Sequence, residues 1–296
     1  MRVLVLGANG FIGRRVREIL GERHAVVPAD IDFSPDPGFL HIDPEHPDFL
    51  WLVERAGADA IVNCSGAASV PASFEAPYRD YTLNTLRIAQ LLEAIRVSRR
   101  ATRLVHLSSA AVYGNPTSFP IRESEVGIPL SPYGWHKRQA ELICEEYSRT
   151  HGIETISLRI FSAYGPGLRK QIFWDVFQKS LRSGTVELFG TGEETRDFIY
   201  IDDLALAIER VLEHATFDGR TVNTASGIAV PIRQAVTVLL DHLGSGCTPR
   251  FSGTARRGDP THWEADIGYL RSLGFQPRFD INSGLQRTAR WLAEQQ

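Results

Sequence analysis

Val3-Leu4-Val5-Leu6-Gly7-Ala8-Asn9-Gly10-Phe11-Ile12-Gly13 contains the pattern from which the architecture of this chain can be predicted. Its four apolar residues predict a buried strand, and the helical spacing of Val16, Ile19 and Leu20 predicts a helix directly after the glycines. A glycine-rich turn between a strand and a helix is typical of a dinucleotide-binding unit. Gly7 would permit the tight turn, Gly10 would let the backbone approach a pyrophosphate, and Gly13 would allow close helix–strand packing.

The next strand, Ala25-Val26-Val27-Pro28-Ala29, ends at the acidic residue Asp30. A carboxylate at this place can accept hydrogen bonds from the adenosine ribose hydroxyls, and it would repel a 2′-phosphate. The pattern therefore favours NAD over NADP as the cofactor. Arg14 and Arg15 could argue for NADP, but basic residues early in a helix are often only solvated.

Further strands and helices alternate along the first half of the chain. Ala60-Ile61-Val62-Asn63-Cys64 and Arg103-Leu104-Val105-His106-Leu107 read as strands, and a helix is expected over about residues 81–97. This alternation predicts an α/β protein with a doubly wound parallel sheet, the Rossmann fold. Ligands of such sheets bind at the carboxyl ends of the strands, where Gly7, Asp30, Gly66 and Ser109 all fall.

A second pattern, Pro132-Tyr133-Gly134-Trp135-His136-Lys137, is expected on a helix. Tyr133 and Lys137 would then share one face. A phenol has a pKa of about 10, and an ammonium group beside it favours the phenolate and lowers that pKa. Such a pair could move a proton at a sugar or alcohol oxygen. Taken alone, the spacing more often marks two solvated neighbours on a helix.

Composition narrows the class of protein. The chain has 296 residues, 43% hydrophobic and 23% charged, and a net charge of −3, which gives no reason to expect nucleic acid or an anionic membrane as partner. Cys64, Cys144 and Cys247 show neither metal spacing nor a disulfide framework, so a reducing compartment is expected. No apolar run approaches the length of a membrane span. We expect a cytoplasmic protein without a metal site.

With these residues in view, the chain resembles the extended short-chain dehydrogenase/reductase superfamily, in its branch that acts on nucleotide sugars. The resemblance runs over nearly the whole chain. The matching stretches are the glycine motif, Asp30, Asn84 before Leu91-Leu92-Glu93-Ala94, Leu107-Ser108-Ser109-Ala110-Ala111-Val112-Tyr113-Gly114, Tyr133 with Lys137, Leu158-Arg159-Ile160-Phe161-Ser162-Ala163-Tyr164-Gly165-Pro166-Gly167, Thr195-Arg196-Asp197-Phe198-Ile199-Tyr200, and Ala255-Arg256-Arg257-Gly258-Asp259-Pro260.

The resemblance implies roles for individual residues. Ser109 would hydrogen-bond the reacting sugar oxygen, Tyr133 would exchange a proton with it, and Lys137 would bind the nicotinamide ribose. The implied NAD contacts are Gly7, Asn9, Gly10, Phe11, Ile12, Gly13, Asp30, Asp43, Ser65, Gly66, Ala67, Asn84, Tyr133 and Lys137. The implied substrate contacts are Ser109, Ser162, Arg196 and Arg256, of which the two arginines would meet the diphosphate of a nucleotide sugar.

Two departures from the family pattern are visible. The helix that usually begins Asn-Val-x-Gly-Thr reads Asn84-Thr85-Leu86-Arg87-Ile88 here, and Ser162 replaces an asparagine that commonly helps to hold the substrate diphosphate. Arg196 also has a plainer interpretation, an ion pair with Asp197 or Asp202.

The domain division and the assembly are expectations of the same kind. Residues 1–166 would form the NAD-binding domain, to which residues 198–222 return. Residues 167–197 and 223–296 would form a smaller, interleaved C-terminal substrate-binding domain. The resemblance also implies a homodimer, formed through the helices that contain residues 84–97 and 133–150.

The residues after Ser109 narrow the reaction. A 4,6-dehydratase of this superfamily would carry an Asp-Glu pair there, and a 3,5-epimerase would carry a cysteine, but this chain has Ala110 and Ala111. Both alanines indicate simple oxidation and reduction at the sugar C4. Asp30 and the general resemblance favour an NAD-dependent nucleotide-sugar 4-epimerase, which is the preferred prediction. An NAD(P)H-dependent 4-reductase of 4-keto-6-deoxysugars is the alternative, and a non-catalytic NAD-binding regulator is a remote one because Ser109, Tyr133 and Lys137 are all present.

Overall fold

The computed structural model describes residues 1–125, 127–182 and 184–295. Its strands, in chain order, are β1 (Arg2–Leu6), β2 (Ala25–Asp30), β3 (Leu40–His41), β4 (Ala60–Asn63), β5 (Arg103–Ser109), β6 (Thr155–Ile160), β7 (Ser162–Tyr164), β8 (Thr185–Leu188), β9 (Thr195–Tyr200), β10 (Thr221–Thr224), β11 (Ala229–Pro231) and β12 (Thr248–Phe251).

The helices are α1 (Phe11–Gly21), α2 (Phe49–Ala56), α3 (Val70–Glu75), α4 (Pro77–Tyr81), α5 (Arg87–Ser98), α6 (Pro132–His151), α7 (Gln171–Ser180), α8 (Ile201–His214), α9 (Ile232–Leu243), α10 (Gly268–Ser272) and α11 (Ile281–Ala293). A π-helical turn, Thr82–Leu86, joins α4 to α5, and a 3₁₀ turn, Ala110–Val112, follows β5. Within the described ranges, no helix is both long and apolar enough to cross a membrane.

Seven strands form one sheet in the order β10-β6-β5-β4-β1-β2-β3, and each neighbouring pair runs parallel. The strand order reverses between β1 and β4, and in sheets of this type ligands bind at such a switch point. Alternate residues of β1 face opposite sides. Val3 and Val5 pack into a core that includes α1 and α8, whereas Leu4 and Leu6 pack into a core that includes α2 and α5. The predicted doubly wound sheet is confirmed.

The second half of the chain also builds two small sheets, β11-β9-β7 and β12-β8. Residues 198–222 start with the end of β9, which pairs in the small sheet, and continue through α8 and β10. Helix α8 packs on α1, and β10 forms the edge of the large sheet beside β6. The same segment of chain therefore contributes to both the small sheet and the large sheet.

The helical spacing of Ile172, Val176 and Phe177 predicts a helix that opens at Leu168, whereas α7 begins at Gln171. Gly165 and Gly167 just before it adopt φ values of 144° and 95°, and these conformations keep the chain out of a right-handed helix. By contrast, α6 begins where its sequence predicts. The Ser131 side chain accepts a hydrogen bond from the Gly134 amide, and Pro132 takes the first helical position, where a missing N–H costs nothing.

Candidate active site

The glycine-rich turn after β1 leaves room for a ligand against the backbone. Gly7 has φ 81°, a left-handed conformation that glycine adopts readily. A Cβ at Gly13 would overlap the Gly7 carbonyl, so the close approach of α1 to this turn requires glycine there. Gly10 is the N-cap of α1 and gives no side chain to the first-turn amides. Those amides and the helix dipole form a site suited to a pyrophosphate.

Asp30 is held at the end of β2 by the turn that it faces. One carboxylate oxygen accepts a hydrogen bond from the Asn9 amide at 2.7 Å, and the other accepts one from the Ile31 amide at 2.7 Å. The carboxylate is buried, so its direction is set before any ligand binds. The Asn9 side chain donates to the Asp32 carbonyl and ties the turn to the loop after β2.

Asp43 lies farther along the same edge of the sheet, two residues after β3. Its carboxylate accepts hydrogen bonds from the His46 and Glu45 amides, which lower its pKa. The side chain is exposed and, in the described part of the chain, forms no hydrogen bond with another strand. The structure therefore places Asp43 at the rim of the predicted cofactor site.

Gly66 and Asn84 face one another across the end of β4. Gly66 has φ 116°, and a Cβ there would lie 2.7 Å from the Asn84 side-chain oxygen. Asn84 is 1% exposed, and neither its amide nitrogen nor its amide oxygen has a hydrogen-bond partner in the described part of the chain. Leaving such a group unpaired costs about 1–3 kcal/mol. Its position in the π-helical turn is typical of functional sites.

The remaining predicted cofactor contacts surround this opening. Ser65 is fixed because its hydroxyl donates to the Asn63 side-chain oxygen at 2.6 Å, while Ala67, Phe11 and Ile12 are half-buried beside it. A Cβ at Gly7 or Gly13 would clash with the backbone, so the turn carries no side chain there. The buried Asn84 amide has no partner among the described residues. Both features fit a dinucleotide such as NAD. The residues that would hold it are the six predicted contacts of the glycine turn, with Asp30, Ser65, Gly66 and Asn84.

Ser109 and Tyr133 are brought together at the next strand end. Ser109 ends β5, and its hydroxyl accepts a hydrogen bond from the Ala111 amide at 3.2 Å. Tyr133 lies in the first turn of α6, and its hydroxyl is hydrogen-bonded with the Ser109 side chain. Burial raises the pKa of Tyr133 to about 12, and the bond with Ser109 opposes that rise. In this structure the phenol is therefore protonated at neutral pH.

Lys137 lies one turn after Tyr133, as predicted. Its ammonium nitrogen is 5.9 Å from the centre of the Tyr133 ring and donates to the Leu107 carbonyl at 2.9 Å. Burial lowers the pKa of Lys137 to about 8, while the charges of Asp80 and Glu141 oppose that change. Lys137 is thus still mainly a cation at pH 7, beside a phenol that needs positive charge to ionise.

A buried network supports this cluster, and its members are absent from the residues predicted for the site. Glu141 lies one further turn along α6 and accepts a 2.5 Å hydrogen bond from Ser108, the neighbour of Ser109. Its two oxygens also accept bonds from Arg159 of β6 at 3.0 and 2.9 Å. Glu141 therefore fastens the helix of Tyr133 and Lys137 to β5 and β6. The spacing Tyr133, Lys137, Glu141 is the sequence signal that could have revealed it.

Arg196 lies in β9, outside the large sheet. One guanidinium nitrogen donates to the Thr195 carbonyl at 2.8 Å, and the group lies 5.6 Å from the centre of the Trp263 ring. Burial lowers its pKa. Among the described residues, no carboxylate lies within ion-pair distance of Arg196. It is therefore placed to meet a negatively charged group.

The two acids that could have paired with Arg196 have other partners. Asp197 is fully buried and accepts hydrogen bonds from the Ser226, Gly227 and Ala265 amides. Asp202 pairs with Arg15 at 2.7 Å. The ion-pair interpretation of Arg196 is wrong in this structure.

Arg256 is exposed in the loop after β12. The loop lies against α3, because a Cβ at Gly258 would be 2.8 Å from Val70, and Arg257 stacks on Phe74 at 4.2 Å. Both Arg196 and Arg256 interact electrostatically with Asp259. The structure thus brings the two predicted arginines around one acidic residue.

Ser162, the remaining predicted substrate contact, is half-buried at the start of β7 and pairs with Phe198 of β9. Arg196 lies two residues earlier on the same strand. Ser162 therefore lies on the strand next to that of Arg196, two residues after Ile160, which pairs with Ser109.

Comparisons with known proteins agree with this geometry. The model of the NAD dependent epimerase/dehydratase family matches residues 3–225. The uncharacterised UDP-glucose epimerase YtcB of Bacillus subtilis (strain 168) is 30% identical, over 99% of this chain and 98% of its own. The structure of UDP-glucuronic acid 4-epimerase from Bacillus cereus, in complex with UDP-glucuronic acid and NAD, is 27% identical with a TM-score of 0.90 over 100% of both chains.

A relative with a different reaction also matches. The structure of dTDP-glucose 4,6-dehydratase from Streptomyces venezuelae, with NAD bound, is 28% identical with a TM-score of 0.87, over 99% of this chain and 97% of its own. The family model alone covers well over half of the sequence, so the resemblance drawn from the motifs is confirmed. The chain belongs to the NAD dependent epimerase/dehydratase family.

Proposed function

We propose that this enzyme interconverts the C4 epimers of a nucleotide-diphosphate hexose or hexuronate, with NAD as its cofactor. The observation that carries the proposal is the cluster of Ser109, Tyr133 and Lys137 at the carboxyl edge of the sheet, beside a site that fits a dinucleotide. Relatives that act on UDP-glucose and UDP-glucuronic acid support the choice of a UDP-sugar.

The proposed chemistry needs one proton moved at the sugar C4 oxygen. Bound NAD supplies a hydride acceptor and donor for C4. Tyr133, as phenolate, would take the C4 hydroxyl proton, and the Ser109 hydroxyl would hold the same oxygen in place. The positive charge of Lys137 would favour the phenolate form of Tyr133 and so oppose the rise in its pKa that burial causes. After the 4-keto sugar presents its other face, Tyr133 would return the proton.

The residues next to Ser109 argue against dehydration. A dehydratase must also move a proton at C5 and a hydroxyl at C6, which requires acid and base groups beside C4. Ala110 is fully buried and Ala111 lies in the 3₁₀ turn, and neither side chain can carry a proton. Redox chemistry restricted to C4 is what this constellation supports.

Arg196 and Arg256 would hold the substrate diphosphate. A planar guanidinium binds phosphate oxygens through two parallel hydrogen bonds, and neither Asp197 nor Asp202 pairs with Arg196, because both have other partners. Ser162 would contact the same part of the substrate with a shorter side chain than the asparagine of the family pattern. Asp30 would hold the adenosine ribose, and Lys137 the nicotinamide ribose.

The division of the chain follows from the same proposal. Residues 1–166, with 198–222, would bind NAD, and residues 167–197 and 223–296 would bind the substrate. The crossing segment of α8 and β10 supports this arrangement, because it returns to the large sheet between two parts of the smaller domain.

We also propose a cytoplasmic homodimer formed through the helices of residues 84–97 and 133–150. Exposed apolar side chains on this face support it, among them Val97, Trp135 and Leu142. The cytoplasm is supported by Cys64 and Cys144, which form no disulfide in the described part of the chain, as is usual in a reducing compartment. Light scattering of the purified chain would measure twice the monomer mass. A monomer at micromolar concentration would contradict the dimer.

The decisive experiment is turnover of a panel of UDP- and dTDP-sugars, with and without added NAD(P)H, followed by separation of the C4 epimers. Epimerisation reaches equilibrium without added reductant, because the hydride removed from C4 is returned to it. A 4-ketoreductase would instead stop without NAD(P)H and would need a 4-keto sugar. Product formation only with added reductant would overturn the epimerase proposal in favour of that alternative.

A further inference from the structure

A second cluster of polar side chains lies at the amino-terminal edge of the large sheet, away from the proposed active site. His24 immediately precedes β2, whereas Asp30 ends the same strand, and six residues of strand span about 20 Å. Glu209 and Glu213 lie one turn apart on α8, which packs on α1. These three residues come from two elements that the sequence separates by about 185 positions.

Their donor atoms converge. One atom from each of His24, Glu209 and Glu213 lies within 4.8 Å of the other two, and His24 Nε2 is 3.8 Å from a Glu213 oxygen. In a tetrahedral zinc site with bonds of about 2.1 Å, neighbouring donors are about 3.4 Å apart. Small side-chain rotations would therefore bring all three into coordination distance of one ion.

The histidine is the feature that points to a ligand. Its side chain is 7% exposed, yet neither ring nitrogen has a hydrogen-bond partner among the described residues. One Glu213 oxygen is also buried without a partner. Buried polar groups are nearly always satisfied, so a buried imidazole without a hydrogen-bond partner in the described part of the chain, 3.8 Å from the Oε1 atom of Glu213, needs an explanation.

Two arginines already neutralise part of the cluster. Arg23 lies 3.5 Å from Glu209 and 3.2 Å from Glu213, and Arg210 lies 3.8 Å from Glu213. The side chain of Arg23 is 55% exposed, so it can move into solvent. A metal ion and Arg23 would then compete for the same two carboxylates. Removal of the Arg23 charge should therefore strengthen metal binding.

We propose that His24, Glu209 and Glu213 bind one divalent transition-metal ion of the zinc type. Imidazole and carboxylate donors suit zinc, cobalt and nickel. His214 completes the set, since its Nε2 is 3.6 Å from Glu213 and its side chain is half exposed and able to rotate. The ion would fasten the turn between α1 and β2 to α8, the helix that returns from the second half of the chain. Its role is structural, because the site lies at the other end of the strands from Tyr133.

The test uses the full, untagged chain, treated with a chelator and then titrated with Co²⁺ and with Zn²⁺. We expect one equivalent of Co²⁺ to bind and to give visible absorption bands that Zn²⁺ removes. His24→Ala and Glu213→Gln should each weaken binding at least about tenfold, as the loss of one ligand from a site of few ligands implies. Arg23→Gln should bind the ion more tightly than the parent chain, because the competing cation is gone.

His242→Ala is the matched control. His242 is an exposed histidine on α9, where its ring is 3.0 Å from the Asn282 side-chain oxygen, and its removal should leave metal binding unchanged. Circular dichroism of each variant shows that it is folded. A hundredfold excess of Zn²⁺ over its dissociation constant should raise Tm by about 5 °C in the parent chain and not in His24→Ala.

The proposal is overturned if the chain binds no Co²⁺ or Zn²⁺, or if His24→Ala and Glu213→Gln bind as tightly as the parent. Loss of binding in His242→Ala would assign the ion to another place and would overturn it too. Metal binding is measured without turnover, so this result is independent of whether the epimerase proposal holds.

Discussion

Two groups of proposed site residues are held in different ways: the cluster of Ser109, Tyr133 and Lys137, and the arginines proposed to bind the diphosphate. Tyr133 and Lys137 are 9% and 4% exposed, and they lie on a helix fastened to the strand of Ser109. Arg196 and Arg256 come from a strand of the small sheet and from an exposed loop, about sixty residues apart. Asp259 is the group that interacts with both arginines.

This difference matches what each group has to do. Proton transfer requires donor and acceptor at hydrogen-bond distance, so its residues are placed by the rigid parts of the fold before the substrate arrives. A diphosphate is recognised by charge over several ångströms, and a guanidinium on a loop can move to meet it. The contrast predicts that substitutions in the first group reduce kcat, whereas substitutions in the second group mainly raise KM.

The largest effect is expected from Tyr133→Phe. The substitution keeps the ring and removes the group that moves the C4 proton, so kcat should fall by about a thousandfold or more. NAD affinity, measured by calorimetry, should change little because the packing is preserved. A Tyr133→Phe enzyme with near-normal kcat would remove Tyr133 from its role and with it the contrast between the two groups.

Glu141→Gln tests whether the network behind the cluster matters for activity. The carboxylate raises the pKa of Lys137 against the larger effect of burial, so its loss should lower that pKa below about 8. Lys137 would then lose its charge at a lower pH, and the alkaline limb of kcat/KM should move to lower pH. We expect kcat to fall about ten- to a hundredfold, with KM nearly unchanged.

The matched control for this change is Glu145→Gln, one turn farther along α6. Glu145 is an exposed acid paired with Arg149 at 2.7 Å, so its loss should leave both kcat and the pH profile unaltered. If Glu141→Gln reduced stability without shifting the alkaline limb of kcat/KM, the role of Glu141 would be purely structural.

Arg196→Ala should raise the KM for the nucleotide sugar by about tenfold or more while kcat changes less. Arg256→Ala should have a smaller effect, because that side chain is exposed and its interaction is weakened by water. Arg257→Ala is the control, since Arg257 stacks on Phe74 in the same loop. If all three substitutions raised KM equally, the arginines would contribute only general positive charge.

The smallest effect is expected from Asp30→Ala. The variant should lose about tenfold in NAD affinity and less in NADP affinity, since the carboxylate would bind ribose hydroxyls and repel a 2′-phosphate. Titration with each cofactor measures the ratio. Equal losses for NAD and NADP would show that Asp30 supports the Asn9 turn without contacting the ribose.

Several features of this fold could be predicted from local pattern. Thr221-Val222-Asn223-Thr224 reads as a strand and the segment from Ile232 to Leu243 as a helix, and β10 and α9 have these bounds. Helix α6 places Tyr133 and Lys137 on one face. These elements depend on propensity, capping and period, which are properties of short segments. The first residue of α7 could not be predicted from apolar spacing. The glycine turn before it depends on the path that the chain takes after β7.

Other features depend on which segments meet. The bond from Ser108 to Glu141, the partners of Asp197 and the approach of His24 to Glu213 each join residues far apart in the chain. The unpaired amide of Asn84 is visible only when its burial is known. The local spacing of apolar residues carries no information about these long-range contacts or about the burial of a single side chain.

The sequence by itself determined the parallel sheet, the glycine turn, Asp30 as the acid after β2, and the Tyr133–Lys137 face, because strand ends of a parallel sheet share one edge and helix neighbours repeat every four residues. Only the tertiary structure decided that Arg196 pairs with no carboxylate of the described residues and that Glu141 fastens α6 to two strands. It also decided that His24 is buried beside two glutamates. Those outcomes depend on burial and on long-range packing, in which each polar group takes the partner that the folded chain brings within reach.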